Sequence, residues 1–356
     1  MKIIPLNKAK YGMILAMDVR DTTGRIIVKK GTEINEKTIY SLKKCGIFNI
    51  PVRSVKINSD LSKNAKKHGV ISKENLDLNY KKVKEVFEKL DEDNHLDIDT
   101  VIEIASSIKD EIENNFSDRL FVPLKKLQNF DEYLYTHSLN VMIISSILGA
   151  ENEIIDDELL NLAISALLHD IGKTKVPKEI MNAPRPLTPE EMEFMRKHVL
   201  YGKNIAIENN LKDKSILDGI YEHHERVDGK GYLEEKKGES ISIFGKIIAI
   251  ADVYDALTSV RSYKGPWTPY KTITFILSNV EKQFDGKIAQ GLINAFGIYP
   301  VGTRVQLNNG QFGTVVASNR SNKIRPLVKI DHGDVLDLSK DFSLRIIKVL
   351  DYIYIE

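Results

Sequence analysis

From about residue 119 to 296 the chain is almost entirely helical in pattern, and that stretch holds five of its eight histidines: His137, His169, His198, His223 and His224. Each lies within a helical pattern or at its end. Helices of a bundle bury their apolar faces, and an imidazole or carboxylate taken there needs a partner, because desolvating it unpaired is costly. His169-Asp170 directly follows the apolar run 159–168, and His198 shares a helix face with Met195 and Gly202, three residues before it and four after. His223-His224 end the helical run 215–222, and Asp252 lies inside the apolar run 247–257, where a carboxylate is out of place unless paired. Any one of these alone reads as structural, for example an aspartate bonded to its neighbouring histidine. Together they place five imidazoles and two carboxylates on the core side of one bundle, which reads as a metal site. Such donors suit iron, zinc or manganese rather than thiolate chemistry. Seven exceed what one open catalytic ion needs, and a bridging aspartate holds two ions about 3.5–4 Å apart. Phosphate-ester hydrolysis is the reaction class that follows.

The rest of the chain is plainer. With 51 Lys+Arg against 50 Asp+Glu the net charge is +1, so nothing global argues for a nucleic-acid polymer or an anionic membrane as partner. No apolar run approaches the roughly 20 residues that span a bilayer, and Pro5, Lys8, Lys10 and Gly12 interrupt any signal-peptide core. A single cysteine, Cys45, fits a reducing compartment, so a cytoplasmic protein is expected. Residues 1–55 read as short strands and one small helix, 56–75 as a polar linker, and 76–118 as a helical arm with Val83, Val86, Phe87 and Leu90 at helical spacing. That arm suits packing on the next domain, or a homodimer contact, for which the N-terminal module is the alternative. Thr188-Pro189-Glu190-Glu191 is a capping box, and Thr268-Pro269 repeats the cap-then-proline signal. After residue 296 short β-type runs separated by Asn309-Gly310 and Gly333-Asp334 predict a small β-barrel-like module over 297–356. His68, His95 and His332 lie among polar residues and read as solvated.

Three stretches, His169-Asp170-Ile171-Gly172-Lys173, His223-His224-Glu225-Arg226-Val227-Asp228-Gly229-Lys230-Gly231-Tyr232 and Ala251-Asp252-Val253-Tyr254-Asp255-Ala256-Leu257-Thr258, closely resemble the motifs of the HD-GYP family. This branch of the HD-domain phosphohydrolases degrades the bacterial second messenger cyclic di-GMP. The resemblance covers about residues 125–296. It implies a mainly α fold, an HD-type helical bundle flanked by a small N-terminal α+β module and a small C-terminal β module. By motif position, His137, His169, Asp170 and Asp252 would hold one metal. Asp170, His198, His223 and His224 would hold the second, with Asp170 bridging. Iron is the metal the family implies first, with manganese also permitted. Asp170 and Lys173 would be catalytic, and Lys173, Arg261 and Lys264 would grip the phosphates of a cyclic dinucleotide, hydrolysed to linear pGpG and onward to GMP.

Two positions depart from the family. Some members carry a glutamate four residues before the first histidine, supporting a third metal; here that residue is Tyr133. Glu132 is its neighbour but points about 100° away on a helix, so two metals are expected. The signature Gly-Tyr-Pro is here Gly231-Tyr232-Leu233, and loss of the proline releases φ in the substrate loop without removing a ligand. A nucleotide-sensing scaffold of weak activity, and a hydrolase of another cyclic dinucleotide, are the competing readings.

Overall fold

The computed structural model describes residues 2–6, 14–21, 24–32, 36–53, 71–115, 133–181, 183, 185–259, 266–319, 322–331 and 333–352. The chain divides into two compact units, 1–65 and 66–356. In the first, β1 (Lys2–Pro5), β5 (Asn49–Arg53) and β2 (Ile14–Leu15) form an antiparallel sheet in that order, beside the pair β3 (Val19–Arg20) and β4 (Ile26–Val28). Helix α1 (Glu36–Lys44) contributes Leu42 to a core with Leu6, Leu15, Val19 and Ile50.

The second unit is a bundle built around α4 (Tyr133–Glu151). Every residue of this helix from His137 to Gly149 is buried. A helix apolar all round has no solvent stripe and must be wrapped on every side. Here α5 (Asp156–Leu168), α10 (Ile243–Thr258) and α12 (Gly286–Phe296) wrap it, with α2 (Lys73–Asp93) and α3 (Ile98–Asn115) on the remaining face. Val83, Val86, Phe87 and Leu90 of α2 join the same core, and the Phe87 ring meets Tyr135 edge-on at 5.7 Å. The apolar face of the arm is therefore spent within the bundle. No helix among the described residues is long and apolar enough to cross a membrane.

The short helix α6 (Lys178–Met181) leads to α7 (Pro189–Arg196), whose predicted capping box is complete: Thr188 Oγ1 accepts from Glu191 N–H, and Thr188 N–H donates to the Glu191 carboxylate at 2.8 Å. The sequence pattern reads one helix from this cap through His198, but the structure breaks it. Lys197, at ψ −8°, ends α7, and α8 (His198–Glu208) begins at the histidine. Its bonds switch there to the three-residue spacing of a 3₁₀ turn, Lys197 N–H to Phe194 O at 3.2 Å. Beyond lie α9 (Lys214–Glu222) and α11 (Pro269–Ser278), the latter capped by Thr268 as the sequence predicts.

The C-terminal strands are β6 (Thr303–Leu307), β7 (Phe312–Ala317), β8 (Leu327–Ile330), β9 (Val335–Asp337) and β10 (Ile346–Tyr352). They form one antiparallel sheet in the order β10-β6-β7-β8-β9 around Val305, Leu307, Val315 and Val328. Gly310, at φ +85°, supplies the left-handed residue that the β6–β7 turn demands. Bulges in β10 and β7 coil the sheet, and among the described residues β9 and β10 remain its two edges.

Candidate metal centre

Helix ends converge at the centre of the bundle. His169 caps the C-terminus of α5, and Asp170 opens the 3₁₀ turn Ile171–Lys175. His198 begins α8, His223 caps α9 with His224 next in the chain, and His137 and Asp252 project from α4 and α10. All seven predicted donors come together, in two groups: Asp170, His198, His223 and His224 in one, and His137, His169 and Asp252 in the other, with donor atoms inside each group within 4.8 Å of one another. His137, His169, Asp170, His198 and His223 are at most 2% exposed. His95 is exposed. Arg261, Lys264, Glu132, His68 and His332 lie outside the described residues.

The imidazoles are oriented by their far nitrogens. Nδ1 of His169, His198 and His223 lies 2.8, 2.8 and 2.9 Å from the carbonyls of Ala166, Met195 and Ile220, each three residues earlier. A carbonyl only accepts, so each Nδ1 carries the proton and each Nε2 presents a lone pair to the centre. His198 and His223 thus face each other Nε2 to Nε2 at 3.4 Å. Two lone pairs at that distance repel unless a cation sits between them.

Asp170 lies between the groups, with Oδ1 3.3 Å from His198 Nε2 and 3.9 Å from His223 Nε2. Its Oδ2 lies 3.4 Å from His169 Nε2 and 3.6 Å from His137 Nε2, and also receives the Lys173 ammonium. Donors about 2.1 Å from one ion stand roughly 3–3.4 Å apart, and the contacts of Asp170 with His198 and His169, 3.3 and 3.4 Å, fall in that range. Among the described residues, His169 Nε2 and Asp170 Oδ1 are buried without a hydrogen-bond partner. Buried polar atoms are nearly always satisfied, and the donor set fits a pair of borderline-hard cations that would satisfy both.

Charge follows the same division. Burial drives His223 well below the ordinary imidazole range and His224 down to about 3, so both are neutral donors at neutral pH. Burial would raise the Asp252 and Asp170 carboxyls, but His137 beside the first, and Lys173 and His169 beside the second, hold both well below the usual range. His137 differs: burial pushes it down, yet its hydrogen bonds to Asp252 and Asp255 prevail and raise it to about 9. Between the ordinary value and about 9, this site binds a proton that a cation at Nε2 must displace. Metal affinity is therefore expected to climb about tenfold per pH unit from pH 7 to 9 and then flatten, with proton release on binding. Calorimetric titration in buffers of different ionisation enthalpy measures that proton; a pH-independent affinity across this window contradicts it.

Residues the sequence reading missed hold these donors in place. Asp255 Oδ2 accepts from His137 Nδ1 at 2.7 Å, and its Oδ1 accepts from Asn140 Nδ2 and Ser259 Oγ at 2.8 and 3.0 Å. It forms a carboxylate–histidine pair aimed at the centre. Its only signal in the sequence is its place three residues after Asp252, on the same helix face. Buried Glu222 accepts from Lys236 Nζ and Ser242 N–H, both at 2.6 Å. Buried Glu225 accepts from the N–H groups of Glu234 and Lys236 at 2.8 and 3.0 Å. The loop through Leu233, which lacks the proline, is fastened by these two carboxylates. Tyr133 stacks on His137 at 5.3 Å with 12° between planes, an aromatic ring where some family members carry a metal-binding glutamate.

A family model described as an HD domain matches residues 118–288. The chain is 34% identical over 228 residues to the cyclic di-GMP phosphodiesterase PA4108 of Pseudomonas aeruginosa, covering 64% of this chain and 55% of that one. It is 31% identical over 215 residues to the cyclic di-GMP phosphodiesterase PdeB of Borreliella burgdorferi, covering 60% and 56%. It is also 38% identical over 127 residues to a 3'3'-cGAMP-specific phosphodiesterase of Vibrio cholerae, covering 35% and 24%. The match thus spans little more than half the length of the first two relatives. Among solved structures, an HDG"Y"P protein from Bdellovibrio bacteriovorus is 14% identical, over 82% of this chain and 97% of that one, with a TM-score of 0.46. Residues 118–288 therefore match an HD domain, and the ordered motifs within them are those that resemble the HD-GYP branch.

Proposed function

We propose that this chain is a cytoplasmic two-metal phosphodiesterase that opens cyclic di-GMP to linear pGpG, and onward to GMP. The observation that carries the reading is the shared Asp170: its two oxygens face two groups of inward-aimed Nε2 atoms. His137, His169, Asp170 and Asp252 would hold one ion, and Asp170, His198, His223 and His224 the other, iron or manganese by donor type. Bound there, the ions supply Lewis acidity at the phosphoryl group and a water of lowered pKa.

The protein's own groups do the rest. Lys173 Nζ, ion-paired to Asp170 and partly open to solvent, donates a hydrogen bond to a nonbridging oxygen of the scissile phosphate. Arg261 and Lys264, by motif position, take the remaining phosphate charge. Tyr133 puts an aromatic ring against His137 at the position where a third ion would need a carboxylate. Asp255 fixes the His137 ring, so Asp255→Ala is expected to weaken the ion held with His137 about 10- to 100-fold. Metal content after dialysis should then fall from two ions per chain to one; two ions retained would contradict that role.

Purified protein loaded with iron(II) or manganese should bind two ions per chain and convert cyclic di-GMP to pGpG, followed by chromatography. A loaded protein that cleaves nothing, or one equally active after chelation, would overturn the reading. The similarity to a cGAMP-specific enzyme supports a second substrate, and competition among cyclic dinucleotides ranks them.

A further inference from the structure

The Arg196 guanidinium lies over the Tyr232 ring, its carbon 5.3 Å from the centroid. Tyr232 in turn stacks on His224, with centroids 4.8 Å apart and 28° between planes, and its N–H donates to the His224 carbonyl. A stack of three side chains therefore runs from the second donor group to an exposed cation. The backbone of Arg196 is tied to the same group, since Met195 before it accepts from His198 Nδ1 at 2.8 Å.

Other cations of this segment are neutralised: Arg185 forks onto Glu191 at 2.7 and 2.8 Å, and Lys197 lies 3.6 Å from Glu193. Arg196 has no ion pair among the described residues. Stacking fixes the plane of a guanidinium while leaving its N–H edge free to donate. Lys173 pairs with the Asp170 oxygen that faces His137 and His169, whereas Arg196 stands beyond His224, in the other group. A cyclic dinucleotide carries two phosphates on one ring, so the one that is not cleaved is a second anion to hold. An unpaired cation on the side of the other donor group adds to that hold beside Arg261 and Lys264.

We propose that Arg196, held on Tyr232, binds the phosphodiester of the substrate that is not being cleaved. The inference rests on the cyclic-dinucleotide reading above. Arg196→Ala should raise KM for cyclic di-GMP about tenfold, and weaken binding of its slowly hydrolysed phosphorothioate analogue equally, with kcat changed less than about threefold. Turnover of bis(p-nitrophenyl) phosphate, which has no second phosphate, should stay within about twofold. Arg196→Lys should restore most of the affinity, because a phosphate accepts a point charge, whereas pairing with a guanine edge requires the planar fork.

An unchanged KM in Arg196→Ala overturns the inference alone, as does a loss that lysine cannot restore. Equal loss on bis(p-nitrophenyl) phosphate would mark damage to the metal centre and overturn it too. A wild-type chain that cleaves bis(p-nitrophenyl) phosphate but no cyclic dinucleotide overturns the substrate reading, and this inference with it.

Discussion

A chain carrying both His169→Ala and Asp170→Ala is expected to keep its fold and to lose cyclic di-GMP hydrolysis by at least about a thousandfold, on the order of 4 kcal/mol of transition-state stabilisation. Asp170 is the one residue whose oxygens face both donor groups, so its removal takes a ligand from each. His169 Nε2 and Asp170 Oδ1 are buried without hydrogen-bond partners, so in the metal-free protein their removal relieves a desolvation cost that offsets the loss of the His169 bond to Ala166 and of the Lys173 pair. Lys173, paired with Asp170 Oδ2, is 24% exposed at its side chain and can be solvated. Far-UV circular dichroism and the melting temperature of chelated protein should therefore match wild type, while metal content falls to background. Full activity in this variant would remove the two-metal reading altogether.

Gly172→Ala should act by a different route. A Cβ built on Gly172 would lie 1.9 Å from the His198 carbonyl oxygen and 2.4 Å from Gly202 N, both backbone atoms that no rotamer change can move. Either α8 retreats, carrying His198 away from Asp170, or the turn holding Asp170 does. Overpacking of this kind costs roughly 2–4 kcal/mol. For a unit of this size, that corresponds to a melting temperature lowered by about 3–7 °C. Metal bound with His198 should be lost with it. Thermal unfolding and metal analysis together check this, and a melting temperature within about 2 °C of wild type would show that α8 and the turn can separate freely.

The donor set was legible because each donor combines a polar group with an apolar helical context, a conflict that local sequence displays. The caps at Thr188 and Thr268 were legible for the same local reason. The break at Lys197 was not, since no glycine or proline marks it. It did no harm to the reading, because His198 and Met195 keep their three-residue relation across it. Asp255 escaped because periodicity says that a carboxylate faces inward, not whether it meets a metal or the far nitrogen of a ligand. Glu222 and Glu225 escaped because their partners lie 9 to 20 residues further along, across a loop with no regular repeat. For α2 the apolar spacing showed that a face is buried, but not that it joins the same core as α4.

The donors come from five helices or their ends, α4, α5, α8, α9 and α10. Ions held there would act as cross-links among chain segments otherwise joined by packing and a few hydrogen bonds, such as His137 and Asn140 to Asp255. Binding only the folded form, the ions would stabilise it in proportion to the logarithm of free metal. Metal supply would then set the stability of the folded bundle as well as its turnover.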